Sequence, residues 1–105
     1  MVVYDKLVRD KIPGKIKALG NDYSIRYCPE EEISLTLKNK LMEEVKLLIS
    51  SSSCEEIEDR FADIMEVIYT LAEKSGLCAD DLQKKRLSMK EEHGGFREGI
   101  ILEYY

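Results

Sequence analysis

The sequence predicts a mainly α protein, an antiparallel helix bundle with a short N-terminal helix and a small two-stranded β element. Three observations carry this expectation. Two stretches, about residues 30–49 and 53–75, repeat apolar side chains at three- and four-residue spacings, the period of a helix packed on one face. A third, from Ala79 or Asp80 to about Glu92, has Leu82, Leu87 and Met89 as its apolar positions and ends in His93-Gly94-Gly95. Only residues 23–27 and 99–104 read as strands, and each is the other's obvious partner.

Taken in order, residues 1–13, MVVYDKLVRDKIP, mix apolar and charged side chains tightly, and Pro13 fixes their end. Tyr4, Leu7, Val8 and Ile12 are expected to pack on the domain. Arg9 and Lys11 form a basic pair suited to an anionic ligand. Gly14 to Leu19 reads as a short helix stopped by Gly20. Asn21-Asp22 turns the chain into the alternating Tyr23-Ser24-Ile25-Arg26-Tyr27. Pro29 and Glu30 to Glu32 open the first long helix, a proline and acids being favoured in a first turn. Ser50 to Ser53 breaks it, and Ser53 with Glu56 three residues on can cap the second long helix, which ends near Ser75-Gly76.

The two long helices carry acids where packing alone has little use for them. With Leu37 as reference, Leu41, Val45 and Leu48 make one apolar stripe, and Glu44 falls within about 20° of that reference. Burying a bare carboxylate is too costly, so Glu44 has to be paired, protonated or bound to a cation. On the second helix Ile57, Phe61, Ile64, Ile68 and Ala72 share a face, leaving Asp59, Asp63, Glu66 and Thr70 as a narrow polar strip. That strip faces either water, or Glu44 and a shared metal ion.

Length and composition set the class. At 105 residues the chain is expected to form one domain over residues 1–105, with a single core. A net charge of −5 argues against a general binder of nucleic-acid polymers, though not against a nucleotide. No apolar run approaches the about 20 residues of a membrane span, so no membrane partner is expected. The N-terminus lacks the apolar core of a signal peptide. Cys28, Cys54 and Cys78 have no metal-finger spacing and fit free thiols in the cytoplasm. With one histidine, His93, which reads as a helix-end residue, any metal would be held by oxygen, which favours Mg²⁺ with Mn²⁺ as the alternative. No nucleophilic triad or phosphate-binding glycine loop is present.

Four ordered segments, YDKLVRDKIP, LMEEV, FADIMEVIYTLAE and GGFREGIILE, resemble the all-α nucleoside triphosphate pyrophosphohydrolases. The similarity is to small house-cleaning members of that MazG-like superfamily, often described as phosphoribosyl-ATP pyrophosphohydrolase-like, and it runs nearly end to end. It implies a cytoplasmic Mg²⁺-dependent hydrolase, a homodimer or higher homo-oligomer, that cuts a non-standard nucleoside triphosphate to the monophosphate and pyrophosphate. Carried over residue by residue, the resemblance implies Glu43, Glu44 and Asp63 as catalytic acids. Glu44 and Asp63 would be metal ligands, with Asp59 and Glu66 available to join them. Arg9, Lys11, Arg60, Lys85, Arg86 and Lys90 would hold phosphates.

The chain departs from the family pattern at two positions. The EExxE motif reads Glu43-Glu44-Val45-Lys46-Leu47, and the ExxD motif reads Arg60-Phe61-Ala62-Asp63. Of the four expected ligands only Glu44 and Asp63 remain. Three arrangements are open: Asp59 and Glu66 replace the lost acids, Arg60 binds a phosphate directly, or Arg60 pairs with Glu44 or Asp63 in a degenerate site. The last leaves a nucleotide-binding or oligomeric interaction protein without turnover.

Overall fold

A computed structural model describes residues 5–105, so the packing expected of Tyr4 lies outside the described residues. The helices follow from local signals. Helix α1 spans Ile12–Ala18, with Pro13 in its first turn, where a missing N–H costs nothing. It begins two residues ahead of the expected Gly14. Gly20, at φ 82°, closes it, donating to the Lys17 carbonyl at 2.9 Å, while Asn21 reaches back to the Ile16 carbonyl.

Pro29 leads into a single 3-10 turn, Glu30–Glu32, from which α2 continues as Ile33–Ser50. Ser51 is extended and ends α2. Ser53 caps α3, Cys54–Lys74, its Oγ accepting from the Glu56 N–H at 3.1 Å. Glu56 returns a bond to the Ser52 N–H at 3.2 Å, one residue earlier than a strict capping box. Gly76 and Leu77 stop α3 through bonds to the Glu73 and Ala72 carbonyls at 3.0 and 2.8 Å. Helix α4, Ala79–His93, ends at Gly94.

With only residues 51–53 between them, α2 and α3 fold back on each other and form the main packed seam of the molecule. Helix α4 packs on α3 but not on α2. The seam is thin. Leu37, 4% exposed, is the one buried apolar side chain among the described residues, and Glu44, 3% exposed, lies a little under two turns along the same face.

One expectation is corrected. The described residues contain no β-strand: 23–27 and 99–104 are irregular and do not pair. Two short strands with nothing packed on their faces are marginal on their own. Here Tyr27, Ile100, Ile101, Leu102 and Tyr104 all stay exposed. Residues 23–27 lie instead beside the N-terminal segment, with Arg26 Nη2 donating to Asp5 Oδ1 at 3.2 Å.

The orientation of α3, which the sequence left open, turns its strip toward Glu44. Ile57 and Ile64 are half-buried, but Phe61 is 52% exposed and Ile68 38%. The side meeting α2 carries Arg60, Asp63, Val67 and Leu71, all half-buried, so the helix turns part of its polar strip inward and leaves much of its apolar face open. The charge pairing described next makes that orientation possible.

Candidate functional site

The N-terminal segment, α2 and α3 enclose a cleft of about 260 Å³. Leu7, Val8, Ile12 and Val67 form its apolar wall, and Arg9, Lys40, Glu44, Asp63 and Glu66 supply its charge. Glu44 faces into it from α2 and Asp63 from α3, as an acid strip turned toward Glu44 requires.

Each oxygen of these two acids has a cationic partner. Lys40 Nζ lies 3.3 Å from Glu44 Oε1, and Arg60 Nη1 donates to Glu44 Oε2 at 3.3 Å. The same Arg60 nitrogen reaches Asp63 Oδ2 at 3.5 Å. Arg9 closes the other side, its Nε and Nη2 both donating to Asp63 Oδ1, at 3.2 and 2.7 Å. The hydrogen bond to Asp63 raises the Arg9 pKa above its ordinary value; partial burial opposes this, and the charges of Asp63, Glu66 and Glu44 add to it. This chain of alternating charges explains how Glu44 can be buried: its desolvation is offset by two partners, as a single surface pair would not do.

Glu43 points elsewhere. It lines a second depression, about 430 Å³, with Lys6, Asn39, Met42, Lys46 and Leu47. Lys6 Nζ stands 3.5 Å from its Oε1, and Lys40 Nζ 3.9 Å from its Oε2. Lys40 therefore bridges the two neighbouring acids. Leu47 lines this second depression and not the Glu44 cleft.

The remaining candidates are dispersed. Glu66 lines the cleft, one turn beyond Asp63, and is exposed. Asp59 is exposed and lines neither depression. Lys11 sits at the start of α1, exposed and outside the cleft. Arg60 meets the acids without lining the cavity itself. Lys85, Arg86 and Lys90 are exposed on α4 and take no part in either depression; Arg86 bonds its own helix neighbour Gln83 at 3.1 Å. His93 is exposed beside Glu92. Lys6 is the participant that reading the sequence overlooked, although it lies in the same basic segment as Arg9. The three cysteines are unpaired thiols.

A resident Mg²⁺ needs free carboxylate oxygens gathered around one point, and it tolerates little departure from octahedral geometry. Glu44 and Asp63 offer no oxygen without a cation beside it. Among the described residues no group of three His, Cys, Asp or Glu side chains is placed to hold a metal ion. The acids as arranged do not fit the ion, and Arg60 and Arg9 are the physical reason. No helix among the described residues is long and apolar enough to cross a membrane. No family model, curated protein or solved structure matches this chain.

Proposed function

We propose that the cleft between the N-terminal segment, α2 and α3 binds the phosphates of a nucleoside triphosphate, and that the chain is a pyrophosphohydrolase-type protein releasing pyrophosphate and a nucleoside monophosphate. The observation that supports this most is the buried Glu44, held with Asp63 among Lys40, Arg60 and Arg9 at the wall of a cavity. A fold that needs only a core has no use for a carboxylate held in an apolar seam by two cations, and charge clusters in clefts are where ligands are handled. The four ordered segments resembling the helical pyrophosphohydrolases point to the same ligand class.

In this reading Arg9 and Lys40 are the phosphate contacts. Both line the cavity, and Arg9 presents a planar fork that suits a phosphate as well as it suits Asp63. An entering phosphate competes with Asp63 for Arg9, freeing an Asp63 oxygen next to the bound anhydride. Glu44 keeps Lys40 and Arg60 in place. Because the acids do not fit Mg²⁺ as they stand, no step is assigned to the ion, and Glu43, on the other side of Lys40, is given no direct role.

A second reading, binding without turnover, is favoured by one observation. Arg60 touches both acids at once, at 3.3 and 3.5 Å, where a hydrolase of this type would present a carboxylate. The readings separate on one experiment. Pyrophosphate release is measured over a panel of nucleoside triphosphates with Mg²⁺, with Mn²⁺ and with excess chelator. Turnover that Glu44→Ala and Asp63→Ala both abolish supports the hydrolase; turnover indifferent to both removes this site. Saturable nucleotide binding with no turnover, converted to turnover by Leu47→Glu with Arg60→Glu, establishes the second reading.

A further inference from the structure

The cleft is small for a whole nucleotide. At about 260 Å³ it falls below the roughly 300 Å³ at which small-ligand pockets begin, whereas the Glu43 depression, about 430 Å³, lies within their range. The two adjoin through shared groups. Lys40 Nζ stands 3.3 Å from Glu44 Oε1 and 3.9 Å from Glu43 Oε2, so one ammonium faces both sites. Lys6 and Arg9, on the same N-terminal segment, reach one into each, Lys6 to Glu43 and Arg9 to Asp63.

The lining of the depression differs from that of a phosphate site. Asn39, Met42, Glu43, Lys46 and Leu47 recur at three- and four-residue spacings along one side of α2. Met42, 58% exposed, and Leu47, 36% exposed, leave apolar surface open there, and a flexible thioether adapts to the face of a flat ring. Glu43 makes only long contacts, 3.5 Å to Lys6 and 3.9 Å to Lys40. A carboxylate accepts about four hydrogen bonds, so both of its oxygens keep acceptor capacity. Lys46 is in no ion pair among the described residues, and its ammonium donors are free.

We propose that the Glu43 depression holds the base of the nucleotide whose phosphates occupy the cleft, and that it selects a 2-amino-6-oxopurine, the guanine edge. This rests on the phosphate-binding reading of the cleft. An ionised carboxylate accepts and cannot donate, so its two oxygens are best met by two neighbouring N–H groups. On guanine the ring N1–H and the exocyclic amine stand side by side and meet both. Hypoxanthine and uracil offer a single N–H on that edge. Adenine and cytosine set an unprotonated ring nitrogen beside their amine, so a carboxylate there meets a lone pair. Lys46 supplies the donor for the guanine O6, and Met42 and Leu47 lie against the ring. Lys6, exposed and 3.5 Å from Glu43 Oε1, gives up that oxygen at little cost. Lys40 then stands between base and phosphates, beside the sugar.

Calorimetric titration of the full chain tests this, with the uncleavable α,β-methylene analogues of GTP, ITP and ATP and with inorganic triphosphate as the base-free probe. The guanine analogue is expected to bind at least about 10-fold tighter than the adenine analogue and than inorganic triphosphate, with the hypoxanthine analogue between. Glu43→Gln is expected to lower the ratio of guanine-analogue to inorganic-triphosphate affinity by about 10-fold or more. Adenine bound as tightly as guanine, or inorganic triphosphate bound as tightly as every nucleotide, overturns base selection and leaves the phosphate cleft standing. A guanine preference that Glu43→Gln leaves intact overturns the assignment to this depression. Binding of none of the four ligands overturns the phosphate reading, and this inference with it. The ranking of the four ligands needs no variant, so it decides even if Glu43→Gln fails to fold.

Discussion

The α2–α3 seam and the segment after α3 are built in opposite ways. In the seam, charge is turned inward and paired: Glu44 is nearly inaccessible, and Lys40, Arg60, Asp63 and Arg9 continue a ladder across both helices. From α4 onward, apolar side chains face outward with little within the chain to cover them. Leu87, Met89, Phe96, Ile100, Ile101, Leu102, Tyr104 and Tyr105 are all exposed. The contrast shows where the chain is complete and where it is not. Charges in the seam have their partners inside one chain, whereas the apolar surface beyond it has none there. Internal stability should therefore respond to the seam, and association to the outward apolar side chains.

Substitutions can break or sharpen that contrast, and all are best read by urea unfolding at one fixed protein concentration, since association adds to apparent stability. The largest effect is expected at Leu37. Leu37→Ala removes the one buried apolar side chain among the described residues and should cost about 3 kcal/mol; a cost below about 1 kcal/mol would mean the seam does not carry the fold. Glu44→Ala should cost about 2 kcal/mol, because it strands Lys40 and Arg60 at the seam; the figure is kept below that of a fully buried pair because both partners are partly exposed. Ser53→Ala removes the α3 cap and should cost about 1 kcal/mol, visible also as a loss of protection at the Glu56 amide in hydrogen exchange. At the bottom of the scale, Lys74→Ala breaks an exposed 3.6 Å pair with Glu30 and should change stability by less than about 0.5 kcal/mol. An inverted order, with Lys74 above Leu37, would refute the division between the two regions.

Part of the site could be read directly from the chain. Glu44 lies on the Leu37 stripe by helical angle alone, and the structure buries it there. Lys40 is four residues before it, the spacing that lets an ion pair form on one helix. Helical spacing put Asp63 in one strip with Asp59 and Glu66 without saying which way the strip faced, and only the resemblance singled Asp63 out. Arg9 on Asp63 was not, because 54 residues separate them and nothing local signals the contact. Nor was the separation of Glu43 from Glu44 into two depressions, since adjacent residues on a helix point about 100° apart and only the neighbouring elements decide what each meets.

What the sequence determined by itself is the set of helices and their ends. Pro13, Gly20, Ser53, Gly76 and Gly94 act within a few residues of themselves, through φ preferences and capping hydrogen bonds, so the boundaries follow wherever the helices sit. Tertiary structure decided which face of α3 turned inward, and that residues 23–27 and 99–104 stayed unpaired. Both are choices among partners. A helix face or a strand is stabilised by what lies against it, and hydrophobic periodicity marks a face as coverable without naming its cover. Here the ladder from Lys40 to Arg9 held the charged side of α3 against α2, and the Phe61 stripe was left facing out.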